Sequence, residues 1–423
     1  MRPGSNFERM NILVLNAGSS SIKYQLIDMN TEKPLASGIV ERIGLETGAI
    51  KHETFIDGEK NKINEEFSIP NHAFGLKRVA ELLTNNEVGV ISKPSDIQAV
   101  GHRLVHGGEA FTKTVEITKE VKAKVKELFP LAPLHNPANL TGVEVAEEIF
   151  PQAKQIGVFD TAFHQTMPEV AFRYAIPEAM YREMGIRKYG FHGTSHKYVT
   201  EKAAEYLQKN DAKIITIHLG NGASMAAVDG GVCIDTSMGI GPLNGLIMGT
   251  RSGSIDPSII FYLVEQKGYS VEDVNALLNK KSGMLGLTGK SDMRDVEELY
   301  FKGEEKARLA YEMYAYRIKQ FIGNYAAAMN GLDALVFTAG IGENDKLVRS
   351  LVCENMNFFG IHLDENLNSE RSKEIREINT PQSKTKILIV PTNEELEIAQ
   401  QSFELINITN KRLSKKDNIH FGK

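Results

Sequence analysis

Three short apolar runs, separated by two turns that contain glycine, fill the stretch from Ile214 to Asp235. The first run is rich in β-branched residues, which predicts a buried strand that ends at Leu219. Gly220-Asn221-Gly222 forms the first turn, and Asp229-Gly230-Gly231 is a strong hairpin signal before the third run. A strand, a glycine-rich turn and a returning strand present backbone N–H groups that can hold a phosphate, although a lone Gly-Asn-Gly is more often a plain hairpin turn.

The same pattern occurs near the start of the chain. The apolar run from Ile12 to Leu15 enters a turn of small residues, Asn16 to Ser21, and a second run returns from Ile22 to Asp28. Two copies of one strand–turn–strand unit predict a duplicated architecture. If the two turns face each other across a cleft, both can bind one polyphosphate.

Composition excludes several classes of protein. A hydrophobic fraction of 42% and a charged fraction of 24% are typical of a soluble globular protein. The net charge of −5 gives no basic field for nucleic acid, and no apolar run approaches the roughly 18 residues of a membrane span. The first nine residues lack the apolar core of a signal peptide, and the two cysteines are too few for a disulfide framework. We therefore expect a cytoplasmic protein without nucleic-acid or membrane partners.

Four side chains stand out as candidates for chemistry. Arg103 lies in an apolar run, and arginine is rarely buried without an anionic partner. That partner can be a bound anion or a carboxylate in a structural ion pair, and the sequence favours neither alternative. Asp160 follows the predicted strand 155–159, at the strand end where α/β proteins bind ligands, although aspartate also commonly starts helices. His192 lies in a loop, where histidine is more often exposed and without a role. Arg251, between Gly-Thr and Ser-Gly, suits an anion ligand, with a solvated loop arginine as the alternative.

Two further segments contain glycines in an arrangement similar to that of phosphate-binding loops. Residues 335–344 predict a strand followed by a Gly-x-Gly turn at the start of a helix, a geometry that suits nucleotide phosphates. Residues 283–292 resemble a P-loop superficially. Met284 occupies the position of the first required glycine and no strand precedes the segment, so we reject a P-loop.

Helix-start signals predict several boundaries near these candidates. We expect Asn136 to cap a helix from 137 to 150 and Ser195 to cap a helix from 196 to 207. The last helix is predicted to open at Thr392 or Asn393 and run through Leu405, before a frayed basic tail from Lys411.

Nine motifs between Asn11 and Leu405 occur in the order expected of one known protein family. In chain order they are VLNAGSSSIKY, GHRLVHGG, LAPLHNP, VFDTAFHQTMP, FHGTSH, HLGNGAS, MGTRSGSIDP, FTAGIGEN and PTNEEL. Together they resemble the acetate kinase family, which includes propionate and butyrate kinases. The resemblance implies a duplicated two-domain α/β fold of the actin-like ATPase (ribonuclease H-like) type with an interdomain cleft. It places an N-terminal domain at 10–160, joined by the C-terminal helix at about 394–410, and a nucleotide-binding domain at 161–393.

The resemblance also implies roles for individual residues. Asp160, His192 and Arg251 resemble the catalytic groups, and Asn16 and Glu394 the metal-binding pair. The groups that resemble the binding site for the organic substrate are Arg103 for its carboxylate and Val105, Leu134, Phe191 and Pro242 for its methyl group. The residues that resemble the nucleotide-binding set are Lys23, His218, Leu219, Gly220, Asn221, Gly222, Asp292, Met293, Arg294, Gly340, Ile341, Gly342, Glu343 and Asn344. Ser254 departs from the aspartate that is usual in the family, which bears on how Arg251 is oriented.

The implied reaction is a reversible, direct in-line transfer of a phosphoryl group from ATP to acetate, which gives ADP and acetyl phosphate. It implies Mg²⁺, with Mn²⁺ as a substitute, and a homodimer to which the aromatic-rich helix around 311–325 could supply an apolar interface. A propionate or butyrate kinase is the alternative within the family. From other classes, Hsp70-type ATPases need a further peptide-binding domain, and actin-like filament proteins do not require Arg103, His192 and Arg251 together.

Overall fold

The computed structural model describes residues 10–56 and 58–420, with residues 410–420 described as backbone only. The first nine residues, for which the sequence predicts no signal peptide, lie outside the described residues. Within the described part of the chain, no helix is both long enough and apolar enough to cross a membrane.

Fourteen strands and fifteen α-helices make up the described chain. The strands are β1 Asn11–Ala17, β2 Ser21–Asp28, β3 Lys33–Glu41, β4 Gly48–Ile56, β5 Glu59–Phe67, β6 Ala99–Leu104, β7 Val115–Glu116, β8 Lys154–Phe159, β9 Lys213–Leu219, β10 Ala223–Asp229, β11 Val232–Thr236, β12 Ala334–Thr338, β13 Arg376–Glu377 and β14 Lys386–Ile389. The helices are α1 His72–Leu83, α2 Lys119–Glu127, α3 Asn136–Ile149, α4 Glu169–Phe172, α5 Glu178–Arg182, α6 Gly193–Leu207, α7 Ser258–Lys267, α8 Val271–Lys280, α9 Gly283–Thr288, α10 Met293–Phe301, α11 Glu305–Met329, α12 Ala339–Asn344, α13 Lys346–Cys353, α14 Glu365–Ser369 and α15 Glu394–His420. Short 3₁₀ turns lie at Pro94–Asp96, Phe129–Leu131, Ala162–Thr166 and Asn357–Phe359.

The chain divides into two compact units. The first unit contains the residues up to Ala162 together with those from Asn393 onward, and the second contains Phe163–Thr392. The first unit is therefore built from two separate parts of the chain, whereas the second is continuous.

An eight-stranded sheet forms the centre of the first unit, in the order β5-β4-β3-β2-β1-β6-β8-β7. Strands β1 to β3 pair antiparallel, and β6 and β8 continue the sheet parallel to β1. Leu13 and Leu15 of β1 face a core that includes α1 and α3, whereas Ile12 and Val14 face a core that includes Ile398 of α15. Because both faces of β1 are covered, its sequence is a continuous apolar run rather than an alternating one.

The second unit repeats this strand order. Its sheet runs β11-β10-β9-β12-β14-β13, with β9, β10 and β11 antiparallel and β12 and β14 parallel to β9. Strands β11-β10-β9-β12-β14 thus correspond in order and direction to β3-β2-β1-β6-β8 of the first unit. The predicted strand–turn–strand repeat is confirmed, and each copy is the first hairpin of its sheet.

Three predicted helix boundaries are wrong. Helix α3 begins at Asn136 itself, whose Oδ1 accepts from the backbone N of His106 at 3.1 Å instead of capping the helix. Helix α6 begins at Gly193, so Ser195 is a buried residue of its first turn. Helix α15 is capped by the Oδ1 of Asn393 at 3.0 Å, as one alternative predicted, but continues past Leu405 to His420.

The aromatic residues of α11 mostly pack inward. Tyr311, Tyr314 and Tyr325 are buried inside the second unit. The exposed apolar side chains of the helix are Leu309, Met313 and Tyr316. Their spacing puts them on one face of α11.

The close approach of α15 to β6 yields a prediction about stability. A Cβ added at Gly101 would lie 2.7 Å from Ser402 Oγ and 2.9 Å from Ile398 Cγ2. We expect Gly101→Ala to lower the free energy of unfolding by about 1–3 kcal/mol, because overpacking forces the helix away from the strand. Urea unfolding followed by circular dichroism would measure the change.

Gly323→Ala is the matched control for this prediction. Its Cβ would meet its nearest neighbour, Phe359, at 3.9 Å in the interior of α11, so the substitution should stabilise the protein by about 0.5–1 kcal/mol. Equal stability of the two variants would contradict the packing described for α15.

Buried histidines make stability depend on pH. Burial lowers the pKa of His102 to about 4, although hydrogen bonding to Gln155 at 2.7 Å opposes the shift. The unfolded chain binds a proton below about pH 6.5 whereas the folded ring stays neutral, so stability is lost as pH falls from about 6.5 to 4. We expect His102→Gln to reduce the slope of unfolding free energy against pH in this window, by up to about 1.4 kcal/mol per pH unit. An unchanged slope in urea titrations at several pH values would contradict this assignment.

Candidate active site

A partly buried ion pair joins the ends of two parallel strands in the first unit. Arg103 of β6 binds Asp160, which directly follows β8, through Nε at 3.2 Å to Oδ1 and through Nη2 to Oδ2. Asp160 is fully buried. Because β6 and β8 are parallel neighbours, their carboxyl ends meet at the edge where α/β sheets bind ligands. Arg103 therefore has the anionic partner that its burial demands.

Negative charge exceeds positive charge around this pair. Glu394, the first residue of α15, places Oε2 3.9 Å from Arg103 Nε, and burial raises the pKa of Glu394 to about 7 against the opposing effect of Arg103. Glu395 forms an ion pair with Lys23 of β2. Three carboxyl groups thus lie near two cations, and the raised pKa of Glu394 reflects the cost of burying its charge beside Asp160 and Glu395.

The donor set of this cluster suits a magnesium ion. Asn16 pairs through its backbone with Lys23, and α15, which begins at Glu394, packs on β1 and β2. Carboxylate and amide oxygens are hard ligands, and Mg²⁺ in proteins is commonly held by one or two carboxylates plus substrate phosphates. The described residues contain no group of three or more His, Cys, Asp or Glu side chains arranged to hold a metal alone. The oxygen ligands that Asn16 and Glu394 offer are of the kind that fits a hard cation such as Mg²⁺.

Two asparagines of α3 fasten the loop that follows Arg103. The Oδ1 of Asn139 accepts from the backbone N of Val105 at 3.0 Å, while its Nδ2 donates to the carbonyl of Ala17 at 2.7 Å. The Oδ1 of Asn136 accepts from the backbone N of His106, and its Nδ2 donates to the carbonyl of the same residue. Sequence reasoning interpreted this motif only as a helix start and missed the clamp. Of the two predicted methyl-pocket residues in this unit, Val105 is buried, whereas Leu134 is 73% exposed.

His192 occupies a strained position at the start of α6 in the second unit. Its backbone lies in the left-handed region at φ 58°, which is uncommon for a residue with a side chain and often marks a functional site. Its ring stacks on that of His218 with centroids 4.4 Å apart, and Nδ1 lies 2.9 Å from Ser224 Oγ. The preceding residue, Phe191, is buried. His192 is half-buried and held by ordered neighbours rather than exposed and idle.

The turn at Gly222 brings His192 and Arg251 together. A Cβ added at Gly222 would lie 3.3 Å from His192 Nε2 and 3.8 Å from Arg251 Nη1. A histidine nitrogen and a guanidinium thus border one small space beside a glycine turn. Such a space suits an oxyanion, because hydrogen-bond donors and a positive charge converge on it.

Ser254 stabilises the loop that holds Arg251. Arg251 Nη1 donates to the carbonyl of Pro242 at 3.0 Å, and burial lowers the pKa of the guanidinium. Ser254 Oγ donates to Asn244 Oδ1 at 2.7 Å and accepts from the backbone N of Gly245 at 3.0 Å. Ser254 therefore ties its own segment to residues 244–245, close in sequence to the Pro242 carbonyl that Arg251 contacts.

A cavity of about 670 Å³ in the second unit unites most of the predicted nucleotide-binding residues. It is bordered by the β9–β10 turn and by the starts of α10 and α12. The predicted residues that line it are Gly220, Asn221, Asp292, Met293, Arg294, Gly340, Ile341 and Asn344. Four lining residues were not predicted: Ser291, Glu297, Asp345 and Arg371. The volume is within the usual range of small-molecule sites.

The other predicted nucleotide-binding residues lie outside this lining. Leu219 is fully buried, and His218 Nδ1 lies 2.8 Å from Ser195 Oγ. Glu343 Oε1 accepts from the backbone N of Thr392 at 3.1 Å. Gly222 lies beside His192 and Arg251, Gly342 is buried, and Lys23 belongs to the first unit.

A fully buried arginine supports the loop at the start of α12. Ala339 adopts φ 64°, a strained conformation for alanine, just before Gly340. Arg349 of α13 donates to the carbonyl of Gly342 and to Oδ1 and the carbonyl of Asn368, at 2.7–2.9 Å. Sequence reasoning missed this arginine, because a charged residue in an amphipathic helix normally faces solvent.

Comparison with known proteins identifies the family of the chain. The model of the acetokinase family matches residues 11–400. An acetate kinase of Flavobacterium johnsoniae is 57% identical over 397 residues, which cover 94% of this chain and 100% of the relative. The crystal structure of Porphyromonas gingivalis acetate kinase is 47% identical with a TM-score of 0.88, and covers 94% of this chain and 100% of that chain. A propionate kinase structure from Francisella tularensis is 43% identical with a TM-score of 0.86, and covers 93% and 98%.

The repeated sheets and the glycine turns define a duplicated α/β protein of the actin-like ATPase class, which confirms the predicted fold class. The chain belongs to the acetokinase family. The family resemblance inferred from the motifs is thereby confirmed.

The support that Arg349 gives to α12 can be tested by its removal. Arg349→Met would leave the carbonyl of Gly342 and both oxygens of Asn368 without these donors in a buried site. We expect a loss of about 3 kcal/mol in the free energy of unfolding, since each unsatisfied buried group costs about 1–3 kcal/mol. Arg308→Met, at an exposed i,i+4 ion pair of α11, is the control and should lower the free energy of unfolding far less, because solvent screens this pair. Equal losses in urea titrations would contradict the supporting role.

Proposed function

We propose that this protein is an acetate kinase, which transfers the terminal phosphoryl group of Mg-ATP directly to acetate and forms ADP and acetyl phosphate reversibly. The observation that carries the proposal is the convergence of His192 and Arg251 on the turn at Gly222. Family membership and the acetate kinases among its relatives support the same reaction.

The main obstacle to this reaction is electrostatic. A carboxylate with a pKa of about 4 to 5 is ionised at neutral pH, so the nucleophile needs no general base. Two unit charges of the same sign repel by roughly 4 kcal/mol at 4 Å and an effective dielectric constant of about 20. Positive groups must therefore bind both the acetate and the phosphates.

Arg103 is our candidate for binding the acetate carboxylate. Asp160 binds the Nε–Nη2 edge of the guanidinium, so we assign the Nη1 edge to the substrate. Asp160 would then act by fixing Arg103 in one orientation. Arginine suits this role better than lysine because its planar group can bind two carboxylate oxygens at once.

His192 and Arg251 are our candidates for stabilising the phosphoryl group during transfer. An arginine in this role can contribute about 10³ to 10⁵ in rate. The anchoring of Arg251 by the carbonyl of Pro242 supports a fixed orientation. With both groups in place, in-line transfer needs no covalent enzyme intermediate.

We assign the 670 Å³ cavity to the nucleotide. Glycines at the β9–β10 turn and at the start of α12 allow phosphates to approach the backbone closely. Asn16 and Glu394 would hold Mg²⁺, which supplies charge neutralisation at the phosphates, and Mn²⁺ would substitute for it because it accepts similar oxygen ligands.

Propionate kinase is the second candidate, with butyrate kinase as its extension. The structural similarity to a propionate kinase favours its inclusion. One methylene changes binding in an apolar pocket by only about 1–3 kcal/mol, so members that prefer acetate or propionate can share one architecture. We assign contacts with the methyl group to Val105 and Leu134 in the first unit and to Phe191 and Pro242 in the second.

We also propose a cytoplasmic homodimer. The exposed apolar residues Leu309, Met313 and Tyr316 on one face of α11 support an interface in the second unit. Light scattering coupled to gel filtration would give the mass in solution, and a monomer at micromolar concentration would contradict the dimer.

A hydroxylamine-trap assay tests the reaction directly. Purified protein with ATP and Mg²⁺ receives acetate, propionate or butyrate in separate reactions, and trapped acyl phosphate is measured as hydroxamate. We expect the highest kcat/KM with acetate. A maximum with propionate would favour the second candidate, and ATP hydrolysis without hydroxamate would reject the proposed reaction.

Substitution of Arg103 tests the carboxylate site. We expect Arg103→Lys to raise the KM for acetate roughly 10- to 100-fold, because one charged hydrogen bond contributes about 1.5–3 kcal/mol. The KM for ATP should change less than about threefold. Arg78→Lys is the control, since Arg78 forms an ion pair with Glu65 in the same unit. A larger effect on the KM for ATP than on that for acetate would contradict the assignment.

A further inference from the structure

A chain of buried hydrogen bonds leads to the ring of His192 in the second unit. Thr216 Oγ1 of β9 lies 2.7 Å from His196 Nδ1, and His196 Nε2 lies 2.7 Å from Ser224 Oγ of β10. Ser224 Oγ then lies 2.9 Å from His192 Nδ1. Thr216, His196 and Ser224 are each fully buried. None of these three belongs to the set assigned to substrate or nucleotide.

The direction of each hydrogen bond follows from the first member of the chain. Thr216 Oγ1 has one hydrogen, and it makes both of its contacts only if it donates to the carbonyl of Ala226 at 3.4 Å and accepts from His196 Nδ1 at 2.7 Å. Burial, together with nearby His164 and His218, lowers the pKa of His196 well below its usual value. The neutral ring therefore carries no hydrogen on Nε2.

Ser224 transmits this constraint to His192. Its hydroxyl has a single hydrogen, which it donates to the bare Nε2 of His196. The oxygen of Ser224 can then only accept from His192 Nδ1. The nitrogen of His192 that carries the hydrogen is thus determined by residues two hydrogen bonds away.

We propose that Thr216, His196 and Ser224 are positioning residues that fix Nδ1 of His192 as its protonated nitrogen. The inference rests on the proposed function for its consequence in the reaction. Nε2 lies on the side of Gly222 and Arg251 and carries a hydrogen only when the ring is charged. His192 would thus meet the phosphoryl oxygens as a cation, and their negative charge favours that form.

Other groups around His192 are consistent with a fixed ring. The ring of His218 stacks on it at an interplanar angle of 20°, and the guanidinium of Arg251 lies across the turn at Gly222. The left-handed backbone at φ 58° and ψ 26° is maintained only where the surroundings determine it. Ser224 anchors one ring edge and leaves the opposite edge directed to the Gly222 turn.

Nuclear magnetic resonance tests the tautomer without any substrate. Long-range ¹H–¹⁵N spectra of full-length protein labelled at histidine distinguish hydrogen on Nδ1 from hydrogen on Nε2. The His192 signals are assigned by their loss in His192→Gln. At about pH 8, where imidazole is neutral, we expect the Nδ1–H form in the native protein and a shift toward Nε2–H in Ser224→Ala. An Nε2–H form in the native protein would overturn the inference.

Two substitutions of His196 distinguish a positioning role from a purely structural role by their effects on kcat. His196→Gln keeps an acceptor for the Ser224 hydroxyl, whereas His196→Leu removes it. We expect His196→Leu and Ser224→Ala to lower kcat roughly 10- to 100-fold, the range for groups that orient a functional histidine, with KM values within about threefold. His196→Gln should restore kcat to within about fivefold of the native value. Equal losses in the Gln and Leu variants would overturn the inference.

Ser237→Ala is the matched control for these variants. Ser237 is also buried, and its Oγ accepts from the backbone N of Met225 in β10, beside Ser224. The Ser237→Ala variant should lose about as much stability as Ser224→Ala but keep the native kcat. A native protein that forms no hydroxamate would reject the proposed function, while the NMR result would still decide whether the tautomer is fixed.

Discussion

The ion pair between Arg103 and Asp160 is the interaction on which the site of the first unit depends. Asp160 is fully buried, and a buried carboxylate is stable only when a cation and hydrogen bonds compensate for lost water. The parallel pairing of β6 and β8 supplies that compensation, because it ends both strands at the same edge. Glu394, the first residue of α15, places a second carboxyl group near the same arginine.

The two units use the same topological position for different chemistry. The end of β1 carries Asn16, whose amide suits a hard cation, whereas the turn after β9 carries glycines that allow a close approach to the backbone. Beside the second turn, the side chains of His192 and Arg251 provide hydrogen-bonding groups and positive charge. Duplication supplied the same scaffold twice, and the residues at each turn determine what it can bind.

Local patterns in the sequence predicted the repeated hairpins, the strand ends and the glycine turns, since these depend on neighbouring residues. They did not predict contacts between distant buried polar groups, such as Arg349 with Asn368 or Ser224 with His196. Periodicity indicates which face of an element is buried, but not which polar partner it meets there. Ser195 is an example of this limit of local patterns. Serine is common at helix starts, but helix α6 begins at Gly193, two residues before Ser195. The catalytic and binding roles of the individual residues remain predictions.

The first unit closes with a helix that follows the whole of the second unit in the chain. Ile398 and Ile406 of α15 complete a core with Ile12 and Val14 of β1. During synthesis, the ribosome must therefore deliver the entire second unit before the first can bury this face of its sheet. The continuous second unit can therefore complete its own core before α15 is available to the first unit.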